Sequence, residues 1–167
     1  MATNMYLEFE PALETGMEVV GHEKQIEVLS WTHGFSQPTS PVRASSGGGT
    51  VEQADHKNLT FTKYLDGSST AMLKKCWAGE HFTKATLHCY RASKETEPLK
   101  YLEIVMEHVI VCNWDVVGGP GEIPIENVAL DYGILTYNYI SQKRADGTGG
   151  GNKPAKHNLE TREISDG

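Results

Sequence analysis

Cysteine is scarce in this chain, with three thiols, Cys76, Cys89 and Cys112, in 167 residues. An odd number at wide spacing is not a disulfide framework. It suits a reducing compartment, where cysteine packs as a small buried hydrophobe. The close Cys and His spacing of a zinc site is missing, and the neighbours His88 and Cys89 point to opposite faces if they lie on a strand. Long apolar runs are absent too. The longest, from Val105 to Cys112, is broken by Glu107 and His108 and falls well short of the ~18 residues of a spanning helix. The first residues have no basic stretch followed by an apolar one, so no secretory signal peptide is expected. Positive charge is in deficit, with 15 Lys and Arg against 22 Asp and Glu and a net charge of −7. The only adjacent basic pairs, Lys74-Lys75 and Lys143-Arg144, read as solvated surface, which disfavours nucleic acid and anionic membranes as partners.

Recognisable catalytic machinery is also missing. There is no GxSxG, HExxH or strand-to-helix GxGxxG, and Gly47-Gly48-Gly49-Thr50 lacks the Lys of a phosphate loop. The seven histidines show no diagnostic spacing. No catalytic residue, cofactor site or metal site is assigned, and the chain does not read as an enzyme.

What is present is a period of two. The length fits one domain over residues 1–167, and 38 % hydrophobic residues can form its core. Alternation predicts strands at Met5–Glu10, Gln25–Phe35, Asn58–Tyr64, His81–Ala92, Leu99–Cys112, Asn127–Gln142 and His157–Ile164. Short strands punctuated by Gly, Pro and Asn clusters predict a mainly β fold, an antiparallel barrel of two sheets. One short helix is expected over about 68–78, started by Ser68 or Ser69 and stopped by Gly79, with Met72, Leu73, Cys76 and Trp77 on its packed face. Gln37–Lys57 and Ala145–Ala155 are expected to be long loops.

Strand faces suggest roles. In Gln25–Phe35 the large residues Leu29, Trp31 and Phe35 alternate with Ser30, Thr32 and Gly34, which predicts one core face and one smooth wetted face. In Leu99–Cys112 both faces are apolar, and Tyr101, Val105, Val109 and Val111 form the odd one. Asn127–Gln142 behaves similarly, with Leu135, Tyr137 and Tyr139 on its second face. A neighbouring subunit is the expected cover for those seven residues.

Three segments carry a family resemblance. Ile26-Glu27-Val28-Leu29-Ser30-Trp31 with Gly34 and Ser36-Gln37-Pro38 is the first. Phe61-Thr62-Lys63-Tyr64-Leu65-Asp66, followed by Ser68 and the helix, is the second. Glu126-Asn127-Val128-Ala129-Leu130 with Tyr137, Tyr139 and Gln142-Lys143 is the third. Together, in order, they resemble the haemolysin-coregulated protein (Hcp) family, the tube proteins of bacterial type VI secretion. The resemblance implies a two-sheet barrel with one helix on its side. It implies a homo-hexameric ring, rings stacked into a tube, and a tube expelled by a contractile sheath beneath a VgrG spike. It implies effector proteins carried in the lumen, a cytoplasmic pool before firing and secretion without a signal peptide. On that basis Ser30, Thr32 and Gly34 are expected to face the lumen, and the seven residues named above the ring interface. Arg43, Gly47, Gly48 and Gly49 of the Gln37–Lys57 loop are expected to contact the next ring. The alternatives are a phage-type contractile-tail tube protein and a monomeric ligand-binding barrel using His88, Cys89 or Cys112.

Overall fold

A computed structural model describes residues 4–39, 53–91, 97–142 and 149–167. In chain order the elements are β1 (Met5–Glu10), β2 (Gln25–Glu27), β3 (Ser30–Thr32), β4 (Phe35–Ser36), β5 (Asp55–His56), β6 (Leu59–Tyr64), α1 (Ser69–Ala78), β7 (Phe82–Arg91), β8 (Leu99–Val117), β9 (Ile125–Asp131), β10 (Ile134–Gln142), β11 (Gly149–Asn158) and β12 (Glu163–Ser165). The first sheet runs β12-β11-β10-β8-β7-β1-β2, the second runs β3-β6-β9-β8, and β4 and β5 form a separate small hairpin. Among the described residues all pairings are antiparallel. The mainly β, two-sheet, one-helix architecture is as expected from the alternation, but the sheets do not close into a barrel.

Two crossings join the sheets, and both break the simple alternation of the sequence. At the first, the Val28 amide bonds Met5 O of β1 (3.0 Å), and the next amide, Leu29, bonds Thr62 O of β6 (2.8 Å). The chain changes sheets between those residues. Ile26 and Val28 are therefore buried ahead of the crossing, and Trp31 packs on the core after it. The single strand expected over Gln25–Phe35 is in fact three short ones, and its last large residue, Phe35, is 49 % exposed on the β4-β5 hairpin.

The second crossing is β8, whose first half pairs with β7 and β10 and whose second half pairs with β9. At the junction His108 has φ +55. A left-handed residue inside a strand turns the chain and shifts which parity faces inward. Ile104 and Met106 are buried before it, Val109 and Val111 after it. Both sets line the same core, so β8 is not apolar on two faces. Likewise Asn127–Gln142 is two strands, split at Tyr132-Gly133, with Leu130 and Tyr132 buried ahead of the split and Leu135 after it.

The helix runs over Ser69–Ala78, and Gly79 ends it in a left-handed conformation (φ 66, ψ 26), with its amide bonding Cys76 O. Ser68 is the N-cap residue, but its side chain makes no capping bond. Met72 is fully buried and Cys76 packs on the core, whereas Trp77 is 76 % exposed. At about 100° per residue Trp77 lies ~140° round from Met72, so its expected place in the core is corrected by helical geometry. The loop expected over Ala145–Ala155 is replaced from Gly149 onward by β11, a full partner of β10. The strand expected at His157–Ile164 is the end of β11, a turn and β12.

Candidate functional site

The outer face of the second sheet is small and polar over two successive rows, and its next row, Tyr64, Ile125 and Val117, is apolar. Thr32, Thr60, Ala129 and Asn113 are neighbours across β3, β6, β9 and β8; Ser30, Thr62, Asn127 and Asp115 form the next row. The Ser30 and Thr62 hydroxyls are 2.6 Å apart, and Asn113 Nδ2 donates to Asp115 Oδ2 at 2.7 Å. Ser30, Thr32, Asn113, Asp115 and Asn127 are exposed. Behind them the same strands turn Trp31, Phe61, Val128 and Trp114 inward. Ser30 and Thr32 thus sit where the alternation put them. Gly34 does not share that face: it lies past the end of β3, where its carbonyl accepts from the Lys57 amide (3.0 Å).

One inward row of this sheet is charged. Lys63 of β6 and Glu126 of β9 are register partners, both fully buried, with Nζ and Oε2 2.7 Å apart. Lys63 Nζ also donates to Tyr64 O, Asp66 Oδ1 and Ser69 Oγ at 3.0–3.1 Å. The Asp66 amide in turn donates to Ser69 Oγ, and the Ser68 amide to Asp66 Oδ1. The ammonium therefore ties β6, β9 and the entry to α1 into one corner.

Of the seven residues expected at a ring interface, the structure buries Val109 (0 % exposed), Val111 (2 %) and Leu135 (4 %) within the chain itself. They cannot meet a neighbour without unfolding, and the shift of parity at His108 and at Tyr132-Gly133 is the reason. Tyr101 and Tyr137 are half-buried against the core. Val105 lies on the outer face of the first sheet between Thr86 and Thr136, and Tyr139 is exposed. Arg43, Gly47, Gly48 and Gly49 lie outside the described residues.

Exposed apolar side chains collect elsewhere. Tyr64, Ile125 and Val117 are cross-strand neighbours at the end of the second sheet, and Leu65, Val116 and Ile123 adjoin them in the chain; all six are exposed. Phe35 and Ile164 line a cavity of about 330 Å³ together with His56, Leu135, Tyr137 and His157. Pairing of distant strands created both patches, and the sequence showed only isolated apolar residues in loops and strand ends.

The cysteines carry no sign of chemistry. Cys89 is fully buried, and burial pushes its thiol up to about 11, so it stays protonated at neutral pH. Cys112 is exposed; partial desolvation of its thiol still raises it, and its Sγ–H donates to Ala129 O (3.3 Å). His88 is held between Glu8 and Glu103 on the first sheet, its basicity lowered chiefly by burial. Among the described residues no group of three or more His, Cys, Asp or Glu side chains is placed to hold a metal, and no helix is long and apolar enough to cross a membrane.

Comparison with known proteins shows the family. The family model described as "Type VI secretion system effector, Hcp" matches residues 10–139. The chain belongs to the Hcp family. It is 34 % identical over 143 residues to Protein hcp1 of Pseudomonas aeruginosa, covering 85 % of each chain. Crystalline Hcp1 from Salmonella typhimurium superposes with a TM-score of 0.77 at 25 % identity, over 99 % of this chain and 100 % of that one. A structure described as a type six secretion system protein shares the fold with a TM-score of 0.86 at 22 % identity, covering 98 % and 100 %. The Hcp chain is a structural subunit of the secretion tube, exported through type VI secretion, and not an enzyme.

Proposed function

We propose that six copies of this Hcp chain close into a ring whose lumen is lined by the two polar rows on the outer face of the second sheet. The continuous polar surface of Ser30, Thr32, Thr62, Asn127, Asn113 and Asp115 carries this reading. A tube that must let cargo in and release it needs a wetted wall of low relief with few apolar side chains; the two polar rows are that kind of wall, and the apolar row at the end of the same face is turned toward the neighbouring copy. Rings stack into the tube, with the Arg43 and Gly47–Gly49 segment contributing to the ring-to-ring contact. A VgrG spike caps the tube, a contractile sheath drives it, and small effector proteins ride in the lumen. The chain assembles in the cytoplasm and leaves without a signal peptide.

A ring is a head-to-tail assembly and needs two different patches on each copy. The two exposed apolar patches, around Tyr64-Ile125-Val117 and around Phe35-Ile164, are the proposed pair, with Val105 and Tyr139 of the first sheet as further contacts. Three variants test the two assignments together. Ile125→Asp and Ile164→Asp are each expected to give folded monomers by light scattering. Thr32→Trp is expected to leave rings intact and to lose retention of a co-expressed effector. Intact rings from both Asp variants would overturn the interface, and unchanged retention by Thr32→Trp would overturn the lumen assignment.

A further inference from the structure

A chain of five polar side chains fastens the β4-β5 hairpin to the body. Tyr137 Oη is 2.5 Å from His33 Nδ1, His33 Nε2 is 2.7 Å from Tyr132 Oη, Tyr132 Oη is 2.9 Å from His56 Nδ1, and His56 Nε2 is 2.8 Å from His157 Nδ1. His33 and His56 belong to the hairpin and its stem; Tyr132, Tyr137 and His157 belong to β10, β11 and the corner before β10. The rings pack as well: His33 stacks on Tyr137 with centroids 5.7 Å apart, and His56 meets His157 at 4.8 Å.

Each of the four links needs one hydrogen. With all three imidazoles neutral the hydrogens can run one way, from Tyr137 O–H to His33, from His33 N–H to Tyr132, from Tyr132 O–H to His56 and from His56 N–H to His157. One added proton still fits, because a charged His56 can donate to both sides while Tyr132 O–H turns to His33 and His33 N–H turns to Tyr137. Two added protons do not fit. Charged His56 and His157 would set two N–H groups against each other at 2.8 Å. Charged His33 together with charged His56 or His157 would leave the buried Tyr132 hydroxyl hydrogen without an acceptor. Such orphaned polar hydrogens and adjacent like charges are costly in a buried site.

We infer that this histidine–tyrosine chain is a latch that holds the β4-β5 hairpin at neutral pH and releases it in acid, with uptake of more than one proton. The surroundings offset the effect only in part, the Lys57 backbone raising His33 and Asp55 raising His56. Asp55 is the acid facing His56, and Asp131 adjoins Tyr132; Lys156 lies beside the cavity, Cys89 beside Tyr137, and the Lys57 backbone beside His33. Burial pulls His33 down to about 4, with a smaller push from His56, and it lowers His56 as well, with His157 adding to it. A depressed histidine favours the docked form while both forms are neutral, above about pH 6.5. Below that the released hairpin takes up protons that the docked one cannot, and docking weakens as the pH falls toward 4.

Hydrogen exchange on the whole protein, corrected for the intrinsic pH dependence, tests the latch. Between about pH 6 and 4.5 the opening constant of amides 34–36 and 54–57 is expected to rise by more than tenfold per pH unit, the slope of a single proton. Amides of β7 and the first half of β8 should not change. In His157→Gln the slope should fall, because the glutamine oxygen still accepts from His56 but cannot be charged. A wild-type slope of tenfold or less, an equal response in β7 and β8, or an unaltered slope in a folded His157→Gln would each overturn the latch. Should His157→Gln not fold, the wild-type slope and its confinement to the hairpin decide alone.

Discussion

At the scale of single residues, Lys63 and Glu126 do the most with the least visibility. Both fall in segments that carried the family resemblance, yet alternation alone marks Lys63 only as an inward position between Phe61 and the turn, where a lysine is unwelcome. The structure explains it, since Lys63 Nζ reaches four oxygens on β6, β9 and the helix entry. Removing one member of a buried ion pair costs roughly 3–5 kcal/mol because the other charge is stranded, while removing both is far milder. Lys63→Met and Glu126→Leu are each expected to lower the urea midpoint sharply, and the double variant to recover much of the loss. Strictly additive losses would mean that the pair is not the unit. Cys89, by contrast, was legible, because its neighbours Ala85 and Leu87 alternate with it on one face and all three are fully buried. Trp77 was not, because a short helix offers too few turns to define the edge of its apolar face.

At the scale of elements, the strands with simple alternation were read correctly and the crossing strands were not. β1 and β6 keep one register throughout and β7 keeps one as far as Cys89, and their expected limits agree with the observed ones to within one residue. Gln25–Phe35, Leu99–Cys112 and Asn127–Gln142 each change sheet or turn a corner, at Val28-Leu29, His108 and Tyr132-Gly133. A one-residue offset reverses every side chain beyond it. Nothing local announces the offset at His108, since histidine takes a positive φ far less readily than glycine. The error therefore reached the interface expectation intact and placed Val109, Val111 and Leu135 on the wrong side. This gives a direct contrast within one strand. Val105→Asp is expected to leave the far-ultraviolet circular dichroism of the fold unchanged. Val109→Asp puts a charge in the core and is expected to abolish folding. The reverse pattern would show that the chain does not shift parity at His108.

At the scale of the whole molecule, two unlike kinds of surface matter. One is polar and small, from Ser30 to Asp115; the other is apolar, in the patches at Tyr64-Ile125-Val117, the next row of the same face, and at Phe35-Ile164. The wetted face could be half seen in the sequence through Ser30 and Thr32. Its completion by Thr60, Thr62, Asn113, Asp115 and Asn127 required pairing between distant strands, such as Thr60 with Ala129, which no local pattern encodes. The two-sheet fold and the family were both within reach of the sequence, because each rests on short contiguous segments. The central claim is that this chain closes into rings through those patches. Light scattering on the size-exclusion peak, with negative-stain microscopy of the same fractions, tests it most directly. Open-centred rings with a mass near six protomers of 18.4 kDa are the expected result. A clean monomer at micromolar concentration would contradict it.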